Sequence, residues 1–195
     1  MQAFIALIDR LSTAGGDERQ RVEDEIWSRF GVEKALLSLD MSRFSLSVRR
    51  SGILPYLALI RRMQLLTGPI VARNHGEVVK YVADNLLAVF DDAADAARCA
   101  VQIHEAIAAG EEQFTVAVGI DCGRFILVPG TDCFGDTVNV ACKLGEDVAL
   151  PGEVLLTDAA RVCLGESFPY ALREQQVSIS GLELAVFGVL RPGAS

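Results

Sequence analysis

Between Ala35 and Ile120 the apolar residues change period in a set order, and that order restricts the fold more than any other feature of the chain. Ala35-Leu36-Leu37-Ser38-Leu39-Asp40 reads as a short buried strand that ends in a carboxylate. A long helical stripe follows, with Pro55 near its first turn and Tyr56, Leu57, Ile60, Met63 and Leu66 as apolar positions. His75-Gly76 turns the chain into a strand over 77–82, marked by its β-branched content. Ala83-Asp84-Asn85 breaks that strand, and Leu86-Leu87-Ala88-Val89-Phe90 resumes it as a hairpin. Asp91 and Asp92 then cap a helix with Ala96, Ala100, Ile103 and Ile107 on its core stripe, before Phe114 to Ile120 alternates as a strand. Strand, helix, strand, strand, helix, strand predicts an α+β domain with a ferredoxin-like split βαβ core. Its helices are expected on one face of a largely antiparallel sheet.

The flanks add to this core. Phe4, Leu7, Ile8 and Leu11 form one helical stripe, Gly15-Gly16 breaks it, and Asp17 can cap a second helix carrying Val22, Ile26 and Phe30. Gly31 ends that helix, so residues 1–31 are expected to be an N-terminal helical extension and 32–195 the main domain. Downstream, Phe125 to Val128 is expected to pair as a hairpin with the strand before it, and Phe134 to Leu144 opens at Gly135 and enters a helix. Val154 to Leu156 is a further strand, Asp158 to Leu164 a helix, and 177–190 a last hairpin around Gly181, giving additional C-terminal strands.

Composition narrows the partners. The formal net charge of −8 gives no basic field with which to hold a nucleic acid, so a polyphosphate ligand would need metal ions or a local cluster of donors. Five cysteines, odd in number and without C-x-x-C spacing, suit reduced thiols rather than disulfides or a zinc site. No leader-like segment opens the sequence and no apolar run approaches a membrane span, so a soluble, cytoplasmic protein with no membrane partner is expected. His75 reads as a turn residue, His104 as a helix residue remote from the acidic positions, and Trp27 as a packing anchor.

Asp40 and Asp84 stand out because each lies at the end of an apolar strand, where a carboxylate must meet solvent or a cation. In a split βαβ sheet the first strand and the hairpin can be neighbours, and the two groups can then share divalent ions as in-line phosphoryl displacement requires. Backbone amides of the loop Met41-Ser42-Arg43-Phe44-Ser45 can cradle phosphate oxygens. By spacing alone, the reading of Asp40 and Asp84 as turn and cap residues prevails.

Four segments carry a resemblance. Asp40-Met41-Ser42-Arg43-Phe44-Ser45 resembles the "Asp, three residues, Phe-Thr" motif of class III adenylate and guanylate cyclases. The run from His75-Gly76 through Lys80 to Ala83-Asp84 is similar to that family's metal-binding hairpin. Asp132 to Leu144, containing Phe134-Gly135-Asp136-Thr137-Val138-Asn139, resembles its F-G-D-x-V-N-x-A-x-R-L signature, and Pro151 to Thr157 the P-G-E-I-x-x-T that follows. The resemblance implies a two-metal lyase that turns ATP into a cyclic nucleotide, working as a head-to-tail homodimer with two Mg²⁺ or Mn²⁺ per active site. Asp40 and Asp84 of one chain would hold the metals; Lys80 and Asp132 of the other would read the base, and Asn139 would orient the ribose. A Lys donor and an Asp acceptor complement adenine, whose N1 accepts and whose amine donates. Counting back from Gly135 places Asp132, and not Cys133, in the base-reading position.

Three positions depart from the family pattern. Lys143 replaces the transition-state arginine, keeping the charge and losing the planar fork. Ala83 stands where a glycine usually precedes the second metal carboxylate, and Ser180 where a phosphate-binding lysine often precedes the last glycine. Two alternatives therefore stay open: a non-catalytic dimerisation or nucleotide-sensing module, and a cyclase acting on a pyrimidine nucleotide.

Overall fold

Backbone pairing centres on one strand. In the computed structural model, which describes residues 1–42, 52–110, 114–165, 168–179 and 182–190, β1 (Gly31–Met41) lies between two antiparallel neighbours and hydrogen-bonds to both. Helices α1 (Gln2–Thr13) and α2 (Gly16–Phe30) precede it. After it come α3 (Ile53–Arg73), β2 (Glu77–Val82), β3 (Asn85–Phe90), α4 (Ala93–Ala109) and β4 (Val116–Val128). The chain continues through β5 (Asp132–Phe134), α5 (Asp136–Lys143), a π-helical turn (Leu144–Val148), β6 (Val154–Thr157), α6 (Asp158–Val162), β7 (Ala171–Ile179) and β8 (Leu182–Leu190). The strand order β2-β3-β1-β4 is the split βαβ core; β6, β8 and β7 extend it, and β5 pairs on the outer part of β4. Among the described residues only β4 and β6 run parallel.

Side-chain alternation divides β1 between two cores. Ala35, Leu37, Leu39 and Met41 face α3 and α4 and pack with Met63, Ile70, Ala96, Ala100 and Ile103. Leu36 points the other way, to Leu87, Phe125, Val138 and Ala141. Helices therefore cover both faces of the sheet, α3, α4 and α6 on one side and α5 with its π turn on the other, and not one face as the sequence suggested. The reason is in α5, where Val138, Ala141 and Leu144 form a buried stripe that only the second sheet face can accept.

Two local expectations are revised. Phe125 to Val128 is the continuation of β4, since β1 pairs without interruption from Gly31↔Ile126 to Met41↔Val116. The reversal comes later, at Pro129-Gly130, where Gly130 has φ +62° and the Thr131 amide donates to the Val128 carbonyl at 3.0 Å. Helix α2 is capped by Gly15, and Asp17 lies inside its first turn, where its charge complements the helix dipole. Asp92 does cap α4, accepting from the Ala94 amide at 2.7 Å.

One close approach fixes α5 against the sheet. A Cβ on Gly119 would lie 2.3 Å from the Ala141 carbonyl oxygen and 2.5 Å from the Gly145 amide. Gly119→Ala should therefore lower unfolding stability by about 3 kcal/mol, measured by urea denaturation; an unchanged midpoint would show that the helix can shift away at little cost.

Candidate active site

The β1–β3 register puts Asp40 directly opposite Asn85, so the two-residue turn Ala83-Asp84 emerges beside the end of β1. The carboxylates of Asp40 and Asp84 thus sit close enough to act on one another. Burial is the larger influence on Asp40; Asp84, Glu146 and Asp147 add negative charge, and together they push its pKa up to about 7. Burial first, and then the neighbouring Asp84 and Asp40 carboxylates, raise the pKa of the Tyr56 phenol in the first turn of α3. A carboxylate pair held under mutual repulsion, with oxygen donors only, has the chemistry of a hard divalent-cation site. Among the described residues no group of three or more His, Cys, Asp or Glu is arranged to hold a metal ion.

Ala83 adopts φ +50°, the left-handed region in which a Cβ is disfavoured. The sequence reading anticipated this position as the place of a glycine, and the conformation supplies the reason.

Lys80 owes its direction to a β-bulge. Val78 pairs with Ala88 on the α3/α4 face, but the register then shifts and Lys80 pairs with Leu87, on the α5 face. Without the extra residue Lys80 would stand opposite Leu86 and point into the main core. Re-aimed, its ammonium meets Asp132 Oδ1 at 2.6 Å, and the same oxygen accepts the Cys133 amide at 2.8 Å. Cys133 itself is buried beside Phe125 and Leu127, and burial first, then Asp132, pushes its thiol up to about 12. The neighbours divide cleanly: Asp132 faces the site and Cys133 the core. A cleft of 200 Å³ lined by Lys80, Val82, Asn85, Leu87, Cys142 and Glu146 opens on this face.

Gly135, whose φ of +152° suits glycine, precedes helix α5 as its N-cap, and the helix's outer face carries Asn139 and, four residues on, Lys143. Beyond it the π turn presents Glu146 and Asp147 toward Asp40. Neither acid was singled out by sequence. A π-helical irregularity leaves little trace in residue types, although Gly145, which packs on the Ser38 carbonyl, marks the contact that makes it.

Met41 buries its side chain in the main core, and the Ser42 amide donates to the Thr115 carbonyl at 2.9 Å, so these groups are engaged within the fold. Arg43, Phe44, Ser45, Ser180 and Gly181 lie outside the described residues. His75 has φ +59° and hydrogen-bonds Asp95 at 3.2 Å, in keeping with a turn role, and His104 is buried on α4. Trp27 packs under the Arg124 guanidinium at 4.2 Å. No helix among the described residues is long and apolar enough to cross a membrane.

With the geometry in hand, the comparisons with known proteins agree in direction. The family profile described as the adenylate and guanylate cyclase catalytic domain matches residues 62–189. An adenylate cyclase of Streptomyces coelicolor is 30% identical over 164 residues, 82% of this chain and 41% of the relative. The chain spans 22% to 41% of the length of the curated relatives it matches. Among solved structures, an adenylate/guanylate cyclase/hydrolase from Silicibacter pomeroyi superposes with a TM-score of 0.68 at 27% identity, covering 84% of this chain and 99% of that one. The catalytic core of a rhodopsin-guanylyl cyclase with converted specificity, in complex with ATPαS, gives 0.72 at 19% identity over 82% and 97% of the two chains, a likeness of fold.

Two outcomes are expected. Asp40→Asn should raise the melting temperature of the metal-free protein by relieving like-charge repulsion, and should abolish the rise that Mn²⁺ produces in the wild type. A Mn²⁺ response that persists in Asp40→Asn would separate Asp40 from the cation site. Ala83→Gly should stabilise the fold by up to about 1 kcal/mol in chemical denaturation, because the left-handed turn then carries no Cβ.

Proposed function

The chain belongs to the adenylate and guanylate cyclase catalytic domain family, and from that premise we propose that it converts ATP to 3′,5′-cyclic AMP and pyrophosphate at a site completed by a second copy of itself. The observation that carries the proposal is the apposition of Asp40 and Asp84 under mutual negative charge at the end of β1. These two carboxylates would hold a pair of Mg²⁺ or Mn²⁺ ions, which supply a lowered pKa at the 3′-hydroxyl and neutralisation of the triphosphate. The oxygen donor set suits that role.

In the reaction the ribose 3′-oxygen loses its proton and bonds to the α-phosphorus while the bond from that phosphorus to the bridging oxygen of pyrophosphate breaks. Lys80 and Asp132, already paired, would part to meet the base: the ammonium donates to adenine N1, and Asp132 Oδ2 is the oxygen left to accept the exocyclic amine. Guanine presents the reverse pattern at those edges and is disfavoured. Asn139 would orient the ribose, and Lys143 would place positive charge on the phosphate oxygens as the transition state forms. Arg43, Phe44 and Ser45 would supply the phosphate loop. The resemblance supports a head-to-tail homodimer in which each site takes its metal carboxylates from one chain and its base readers from the other. Residues 1–31 are taken as an extension to a catalytic domain of 32–195, and the free cysteines support a reducing compartment such as the cytosol.

A second reading, a domain that dimerises or senses nucleotide without turnover, is favoured by Lys143 and Ser180, which stand where the family pattern has an arginine and a lysine. Purified protein with Mn²⁺ and the four nucleoside triphosphates in competition decides between them. Cyclic AMP should predominate, and Asp40→Ala or Asp84→Ala should lower turnover by about a thousandfold, the equivalent of several kcal/mol of charge stabilisation. Preferred use of CTP or UTP would overturn the base assignment, and dimerisation without product would favour the module. Lys143→Arg should raise kcat by about tenfold by restoring the bidentate grip; no gain would show that a point charge suffices.

A further inference from the structure

Glu146 belongs to none of the recognised motifs, yet it is attached to the turn that carries Asp84. We infer that Glu146 is a positioning residue: by gripping the Asn85 amide it fixes the β2–β3 turn, and so sets the Asp84 carboxylate beside Asp40 to receive a divalent cation. This inference rests on the cation site proposed above.

The contact is direct. Asn85 Nδ2 donates to Glu146 Oε1 at 2.8 Å, across 61 residues of sequence. Asn85 follows Asp84 in the chain and its Cα stands opposite Asp40, so whatever holds Asn85 also holds the end of the turn against β1. The other end of the same amide, Oδ1, is buried without a hydrogen-bond partner among the described residues. Glu146 is thus the only hydrogen-bonding grip on that side chain within the described structure.

The turn needs such a grip. Ala83 holds φ +50°, a conformation its Cβ disfavours, so the backbone alone does not favour the geometry that presents Asp84. On the other side, Glu146 is delivered by a rigid device. The Ala149 amide reaches back to the Leu144 carbonyl at 2.8 Å, closing the π turn. Gly145 is pressed against β1 and β4, where a Cβ would lie 2.9 Å from the Ser38 carbonyl oxygen and 3.1 Å from the Gly119 amide. The turn grows directly out of α5, so one hydrogen bond links the helix bearing Asn139 and Lys143 to the hairpin bearing Asp84. Residues that orient metal ligands in this way commonly change metal affinity by about 10- to 100-fold when removed.

Nucleotide-free Mn²⁺ binding to the full chain, followed by electron paramagnetic resonance, tests the inference without reference to turnover. Glu146→Ala and Asn85→Ala should each weaken Mn²⁺ binding by about tenfold or more, and the double variant should be no worse than either, because both remove one interaction. Glu146→Gln keeps an acceptor oxygen for Asn85 and drops the charge, so its affinity should stay within about threefold of the wild type. Equal losses in Glu146→Gln and Glu146→Ala would overturn the inference in favour of charge or direct ligation. Wild-type affinity in Glu146→Ala and in Asn85→Ala would overturn it outright, while loss in Asp40→Ala would show that the cation site itself stands. Should the wild type bind no Mn²⁺, the cation site and the inference fail together.

Discussion

The in-register pairing of β1 with β3 is the constraint on which the site depends. From Ala35↔Phe90 to Asp40↔Asn85 the two strands align without a slip, and alternation sends Leu37 and Leu39 to one core while Leu36 and Asp40 face the other side. A shift by one residue would turn Asp40 into the apolar interior under α3 and α4, where an ionised carboxylate is not tolerated. The same alignment brings the β2–β3 turn to the end of β1, so a register imposed by hydrophobic burial also determines that two acids meet. Burial first, and then the charges of Asp84, Glu146 and Asp147, raise the Asp40 pKa, and such an oxygen-only pair has the chemistry of a hard divalent-cation site.

The second half of the site depends on an irregularity. A regular β2 would aim Lys80 inward; the bulge after Val78 turns it onto the α5 face, within 2.6 Å of Asp132. The proposed base readers and the proposed metal carboxylates are thus built on neighbouring strands of one sheet face, and α5 packs against that face because Gly119 and Gly145 allow backbones to touch. The N-terminal helices reach the same neighbourhood from outside: Phe4 stacks on Phe134, two residues after Asp132, at a ring separation of 5.6 Å. A cavity of 490 Å³ between these helices and β4–β5 is lined by apolar side chains and Glu23, and holds none of the candidate site residues.

Much of this was readable from residue order. Apolar periodicity located the core strands and helices because burial on a sheet and on a helix leaves different repeats, and the placement of Asp40, Asp84, Lys80 and Asp132 follows from those elements. Ala83 was legible because the left-handed region discriminates sharply among residue types. What escaped were features decided by tertiary contact. A bulge at Val79 has no residue signature when both neighbours are β-branched or long, and the length of β4 escaped because the chain reverses at Pro129-Gly130, after Phe125 to Val128 and not before them. Glu146 was invisible because its role arises from a π turn, and from a partner 61 residues away.

The central claim is that Asp40 and Asp84 of one chain jointly hold the catalytic cations. Anomalous diffraction at the manganese edge, from crystals grown with Mn²⁺ and a non-hydrolysable ATP analogue, tests it most directly. The account predicts anomalous peaks within coordination distance of both carboxylates, next to the α-phosphate of the analogue. Manganese bound elsewhere, or analogue bound with both side chains bare of metal, would contradict it.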